Sequence, residues 1–273
     1  MLLTGLTALA RVAPGAEDAV EAIARPSKDI TLSFLFPGKI AKVLVKEGDA
    51  VEVASVLVRQ DAAAEEIRLA QLKAEADNTA KIKMAEARLA QKKALLEHLE
   101  TAAKRNAASP LELDRARLDA ALAHLALVQA EFEHAQAALK HDEAKLRLDR
   151  MALGSPIAGK VEELFVHEGE TVDKLDRVVR LVKIDPLWID AAVPLAKAVS
   201  LRPGDPAAVH FEGKRKATIR GTVIHIGAFA DAGSETLTVR VEIANPSGRP
   251  AGEHVRVRFA GADRETKGTA HAQ

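Results

Sequence analysis

One stretch of this chain occurs twice. Gly38-Lys-Ile-Ala-Lys-Val-Leu-Val-Lys-Glu-Gly48-Asp-Ala-Val51 returns as Gly159-Lys-Val-Glu-Glu-Leu-Phe-Val-His-Glu-Gly169-Glu-Thr-Val172, without a gap and with a constant offset of 121 positions. The likeness continues to Val58-Arg59 and Val179-Arg180. Each copy alternates apolar and polar residues and carries a Glu-Gly-Asp/Glu turn, the pattern of a β-hairpin. Gly38, Gly48, Gly159 and Gly169 are read as structural turn glycines. A few strands cannot bury a core alone, so the two copies are expected to pack together as one small sandwich.

Between the copies lies helix. Residues 62–105 and 111–150 are rich in Ala, Glu, Lys, Arg and Leu, with no Gly or Pro inside either segment. The second segment shows a seam of alternating three and four spacing at Leu118, Ala121, Leu125, Val128, Phe132, Ala135, Leu139, Asp142 and Leu146. The first shows Ile82, Ala85, Leu89, Lys92, Leu96 and Leu99. The break at Asn106-Ala-Ala-Ser109-Pro110 supplies an N-cap serine, a proline at the first helical position and Glu112 in the first turn. Two helices of roughly 40 residues then fold back on each other as a rod of about 60 Å.

After Asp185-Pro186 the texture changes again. Leu187–Val193, Ala207–Phe211, Ala217–Ile226, Thr236–Ile243 and His254–Phe259 alternate as short strands between Gly, Pro, Asn and Ser. Residues 194–201 have room for a short helix. This spacing predicts a small antiparallel β-barrel. The expected division is therefore an N-terminal segment 1–29, a degenerate signal or disordered. A β unit in two halves follows, 30–61 and 154–184, with 30–36 adding a strand to the barrel. A helical hairpin spans 62–153 with its tip near 106–110, a barrel spans 185–260, and 261–273 form a disordered tail. Met1–Ala10 resembles a shortened signal peptide ending in Ala8-Leu9-Ala10, without a positive n-region; a frayed N-terminus explains it equally.

Composition narrows the function. Lys+Arg and Asp+Glu both number 39, which leaves no basic face for nucleic acid. Aromatic residues make up 3%, with one Trp and no Tyr, few for a ligand pocket or a base-stacking platform. With no cysteine, disulfides, thiolate metal sites and a Cys nucleophile are excluded. No stretch approaches the ~20 apolar residues of a membrane-spanning helix.

At this point the residues resemble a family. The paired half-motifs, opening at Leu32-Ser-Phe-Leu-Phe-Pro-Gly38 and at Ser155-Pro-Ile-Ala-Gly159, resemble the split lipoyl (biotinyl-like) domain of HlyD-like membrane fusion proteins, the periplasmic adaptors of bacterial efflux and secretion pumps. Asp185-Pro-Leu-Trp-Ile and Thr236-Leu-Thr-Val-Arg-Val-Glu-Ile-Ala-Asn-Pro resemble the barrel strands of that family. The likeness covers about residues 28–260. It implies an elongated, multi-domain, mixed α and β fold: a split lipoyl-like β-sandwich interrupted by a long antiparallel coiled-coil α-hairpin, plus a small antiparallel β-barrel. It also implies a non-catalytic adaptor in the periplasm, held at the inner membrane by a transporter of the resistance-nodulation-division or ABC type. A homo-oligomeric ring is implied, and an outer-membrane channel met by the hairpin tip at Asn106, Ala108, Ser109, Pro110, Leu113 and Asp114. The sequence departs from the family where a third glycine of each half-motif is replaced by Ala54 and Leu175. At the tip, His98 and Ala102 stand where the family shows Arg and Leu. A membrane-proximal domain is expected to be absent or truncated.

Other chemistry is weighed against this. A carrier lysine would sit at the turn joining the two halves, but residues 62–153 fill that junction, and Lys39 and Lys160 lie in strands. His134 and His141 share a helix face, yet their spacing of seven is not the chelating spacing of three or four. Phosphate-binding and nucleophile motifs are missing. No catalytic, cofactor-binding or metal residue is assigned. An intracellular coiled-coil scaffold and a lipoyl/biotinyl-type carrier are the competing functions.

Overall fold

The computed structural model describes residues 19–212 and 216–260. Twelve strands and four helices lie among them: β1 (Val20–Ser33), β2 (Gly38–Val43), β3 (Ala50–Val51), β4 (Val56–Gln60), α1 (Ala63–Ala76), α2 (Ala80–Ala103), α3 (Pro110–Asp149), β5 (Ala152–Gly154), β6 (Gly159–Leu164), β7 (Thr171–Val172), β8 (Arg177–Pro194), α4 (Leu195–Ala198), β9 (Pro206–Phe211), β10 (Ala217–Asp231), β11 (Thr236–Ile243) and β12 (His254–Phe259). The fold is mixed α and β.

The repeated halves pair with each other. β2 of the first copy pairs with β7 of the second through Gly38↔Val172 and Lys39↔Thr171. β3 of the first pairs with β6 of the second through Ala50↔Lys160 and Val51↔Gly159. One sheet runs β5-β4-β2-β7, and β6 and β3 end the other. Ile40, Leu57, Val58, Val161, Val178 and Leu181 are inside, each at most 1% exposed. With Phe34 and Val172 they form one continuous core, which neither half could close alone.

Two long strands stitch this core to a second one. β1 and β8 are antiparallel from Ala22↔Ala191 to Pro26↔Leu187 and, after a bulge in β8 that sets Ile184, Asp185 and Pro186 against Ser27, from Lys28↔Lys183 to Ser33↔Arg177. Pairing also runs β1-β12-β9-β10-β11-β8, so these six strands form a circuit of hydrogen-bonded neighbours. Leu187, Ile189, Ala191 and Val193 alternate into it, fully buried, with Val209, Val239, Val241 and Val257. The strand joining this circuit at the N-terminal side is thus residues 20–26, not 30–36. About a third of the expected N-terminal segment 1–29, from Val20 to Asp29, is strand. Ala22 and Ala24 are weak strand formers and Pro26 signals a stop, but Pro26 sits beside the bulge, where a strand tolerates it. Residues 1–18 and 261–273, and what was expected of them, lie outside the described residues.

α1 and α2 run antiparallel to α3. Ion pairs Glu65–Arg147, Lys81–Glu133 and Lys92–Asp119, at 3.7, 2.9 and 2.6 Å, step along the two legs. The first leg is not the single helix expected over 62–105: it breaks at Asp77-Asn78-Thr79. Short polar side chains there compete for backbone groups, and Asn78 Oδ1 accepts the Ala80 N–H at 3.0 Å.

Candidate functional site: the helical arm and its tip

The arm leaves the paired halves at Gln60, turns at 104–109 and returns at Ala152. In α2, Leu89 is buried and Ile82, Ala85, Lys92, Leu96 and Leu99 are half-buried, so the seam read for the first leg is the face turned to α3. The seam read for α3 is not the packing one. Leu118, Ala121, Leu125, Val128, Phe132, Ala135, Leu139, Asp142 and Leu146 are all exposed. The face of α3 that packs is a second line of the same spacing, Leu113, Ala116, Ala120, Ala123, Leu127, Ala130, His134, Ala137, His141, Ala144 and Leu148, buried or half-buried throughout. Both lines have heptad spacing, and hydrophobicity alone points to the wrong one. Packing favours alanine here because it lets the backbones approach while Ile82, Leu89, Leu96 and Leu99 fill the space. A register interpolated between the ion pairs sets Leu89 level with Ala123. Large meets small there, the condition for interdigitation.

The ion pairs shift their own groups. The hydrogen bond from Lys92 holds the Asp119 carboxyl below its ordinary range. That from Lys81, with a second from Gln129, does the same to Glu133, and Glu133 in turn raises Lys81. These groups sit in solvent, so the pairs set register more than stability.

At the tip α2 ends and the chain reverses. Asn106 takes a left-handed φ of 55°, which asparagine tolerates better than most residues. The Ala107 N–H donates to Ala102 O at 2.9 Å, closing the helix end. α3 starts with a capping box: Glu112 Oε2 accepts the Ser109 N–H at 2.9 Å, and Pro110 follows the cap. Asn106, Ser109, Pro110 and Asp114 are exposed, whereas Ala108 and Leu113 are half-buried. Leu113 begins the inner seam, so it is turned toward α2. Leu111, 59% exposed, is the apolar tip residue the sequence reading passed over; it stands seven residues before Leu118.

The four glycines divide by role. Gly48 and Gly169 have φ of 89° and 87° and hold turns. Gly38 and Gly159 instead open β2 and β6, a correction to their reading as turn residues. A Cβ on Gly159 would lie 2.6 Å from Val182 O, and one on Gly38 would lie 2.8 Å from Gln60 Nε2. At Gly159 the close approach of backbone, not a turn, requires glycine, whereas at Gly38 the neighbour is the end of the Gln60 side chain. Lys39 and Lys160 lie in β2 and β6, away from any connecting turn of the two halves. Among the described residues, no group of three or more His, Asp or Glu is placed to hold a metal, and no helix is long and apolar enough to cross a membrane.

Residues 186–263 match the family model of the CusB-like β-barrel domain. The nodulation protein NolF of Rhizobium meliloti (strain 1021) is 30% identical over 224 residues, which make up 82% of this chain and 57% of that protein. The chain thus spans little more than half the length of this relative. MacA from Actinobacillus actinomycetemcomitans superposes with a TM-score of 0.71 at 17% identity, over 89% of this chain and 78% of that one. The membrane fusion protein Spr0693 from Streptococcus pneumoniae R6 superposes with a TM-score of 0.63 at 15% identity, over 88% and 97%. At such identities the two structures speak to the fold. The chain thus has the fold of MacA and of the membrane fusion protein Spr0693, and its residues 186–263 are similar to the CusB-like β-barrel domain. Over 224 residues it is also similar in sequence to NolF.

Proposed function

We propose that the chain is a periplasmic adaptor that links an inner-membrane transporter to the outer envelope and does no chemistry of its own. The observation that carries this reading is the insertion of the antiparallel arm between two matching β halves that close on each other, with the arm's far end exposed. On this reading residues 30–61 and 154–184 are the lipoyl-like unit, the arm is a coiled-coil hairpin, and the six-strand circuit is the closed barrel. A transporter of the resistance-nodulation-division or ABC type, a ring of identical copies, and an outer-membrane channel met by the tip complete it. The match to a CusB-like β-barrel domain supports the reading. Purification of the native protein from cell envelopes tests it. Recovery with an inner-membrane transporter is expected; recovery with cytosolic proteins alone would overturn it.

A further inference from the structure

Where α1 leaves the β unit and α3 returns to it, the two helices and the β1–β2 connection border an open cavity of about 270 Å³. Phe36 from that connection, Leu72 of α1 and Leu146 of α3 give it apolar walls. Four cationic side chains line it, Arg68, Lys140, Arg147 and Arg150, against two carboxylates, Glu65 and Glu143.

The chain itself leaves these cations poorly matched. Arg147 lies over the Phe36 ring, its guanidinium 5.1 Å from the centroid. The Glu65 carboxylate is 3.7 Å from it, too far for a hydrogen bond, so donors of Arg147 stay open. Among the described residues, Arg68, Lys140 and Arg150 have neither an ion pair nor a side-chain hydrogen bond. Cations at the C-terminal end of α3 suit its dipole; Arg68, in the second turn of α1, has no such reason. Like charges gathered in a concave site raise the local potential, and an anion relieves it. Guanidinium groups match the geometry of an oxyanion, while the apolar walls suit an organic body. The volume falls just below the range of about 300–1,000 Å³ that holds drug-sized ligands, so the occupant is small.

We propose that this cavity binds a small organic acid, its acidic group taken by Arg68, Arg147 and Arg150 and its apolar body laid against Phe36, Leu72 and Leu146. The site needs no transporter, so the isolated full chain tests it, and the adaptor reading stands or falls separately. Isothermal titration calorimetry with 2-naphthoate should show saturable one-to-one binding that weakens as salt is raised. 2-Naphthalenemethanol, a similar ring without the charge, should bind about tenfold more weakly. Arg68→Gln with Arg150→Gln should weaken naphthoate binding by about tenfold or more. The urea midpoint of that variant should stay at the parent value, since neither side chain has a hydrogen-bond or ion-pair partner. Glu143→Gln should tighten binding by removing an opposing charge. Lys83→Gln with Lys93→Gln, an equal loss of charge farther out on the arm, should leave it unchanged. No saturable binding of naphthoate, equal binding of the alcohol, or indifference to Arg68 and Arg150 would overturn the proposal.

Discussion

Glu47 and Glu168 perform the same act on opposite halves of the β unit. Glu47 Oε1 accepts the Leu164 N–H at 3.1 Å, and Glu168 Oε1 accepts the Val43 N–H at 3.0 Å. The offset that relates the two glutamates also relates the two amides. Gly48 donating to Val161 O and Gly169 donating to Ile40 O, both at 2.8 Å, repeat the relation in the backbone. The repeat in sequence is thus a local two-fold in space, and each half completes the hydrogen bonding of the other.

Removing either acceptor is expected to cost stability alike. Glu47→Ala and Glu168→Ala should each lower the unfolding free energy by about 0.5–1.5 kcal/mol. Glutamine at either position, which keeps an acceptor oxygen, should cost less. Urea denaturation of the variants checks this. A large loss at one site with none at the other would contradict the two-fold.

Ala54 and Leu175, also related by the offset, hold left-handed φ of 66° and 68°. Such a backbone costs a side-chain-bearing residue on the order of 1 kcal/mol. Leu175 is 63% exposed, so glycine there gives up little packing. Leu175→Gly is expected to raise stability by roughly 0.5 kcal/mol after the added freedom of the unfolded chain is counted. Gly48→Ala should do the reverse. Thermal unfolding of the three chains reads the signs directly.

The bridge between Asp29 on β1 and Arg180 on β8 makes a pH-dependent contribution. Arg180 donates to both Asp29 oxygens at 2.9 and 2.7 Å, and this hydrogen bonding, ahead of the opposing desolvation, holds the carboxyl below its ordinary range. A depressed carboxylate stabilises the fold above its unfolded pKa, about 3.9, and loses that contribution as pH falls through the lowered value. The parent should therefore exceed Asp29→Asn in stability by a constant amount above about pH 5, with the gap closing toward acid. The gap is small, since the pair is partly exposed. A gap that widens as pH falls would contradict the assignment.

At the tip, Ser109→Ala should cost about 1 kcal/mol by removing the cap. Reversing the charge of the exposed Asp114 should leave the urea midpoint near the parent value yet impair transport in cells that depend on this protein. Unchanged transport would mean that the tip meets no partner.

The sequence made some of this legible and hid the rest for physical reasons. Repeated residues fixed which strands pair, because a two-fold β unit needs matching halves. Cap chemistry at Ser109-Pro110 located the reversal. Periodicity failed on α3, where two heptad lines coexist and the packed one is alanine, chosen for close approach and not for hydrophobicity. It failed at Asp77–Thr79 because helix formers on both sides masked the break. β1 was read too short because its inward residues, Ala22 and Ala24, are small, and Pro26 stands beside a bulge. Asp185-Pro186 looked like a boundary, yet β8 runs through it, since the same strand serves both cores.

The central claim is that the two half-motifs close on each other at the root of the arm, and a paired-cysteine variant measures it most directly. Lys39 and Thr171 stand opposite each other on β2 and β7, and the Ile40 N–H bond to Glu170 O beside them marks a non-hydrogen-bonded pair, whose Cα atoms lie about 4.5 Å apart. Oxidation of the Lys39→Cys, Thr171→Cys chain should give an intramolecular disulfide in nearly every molecule, with the folded state stabilised by up to roughly 4 kcal/mol. Thiols that stay free in the folded protein, or bridge only between chains, would contradict the account.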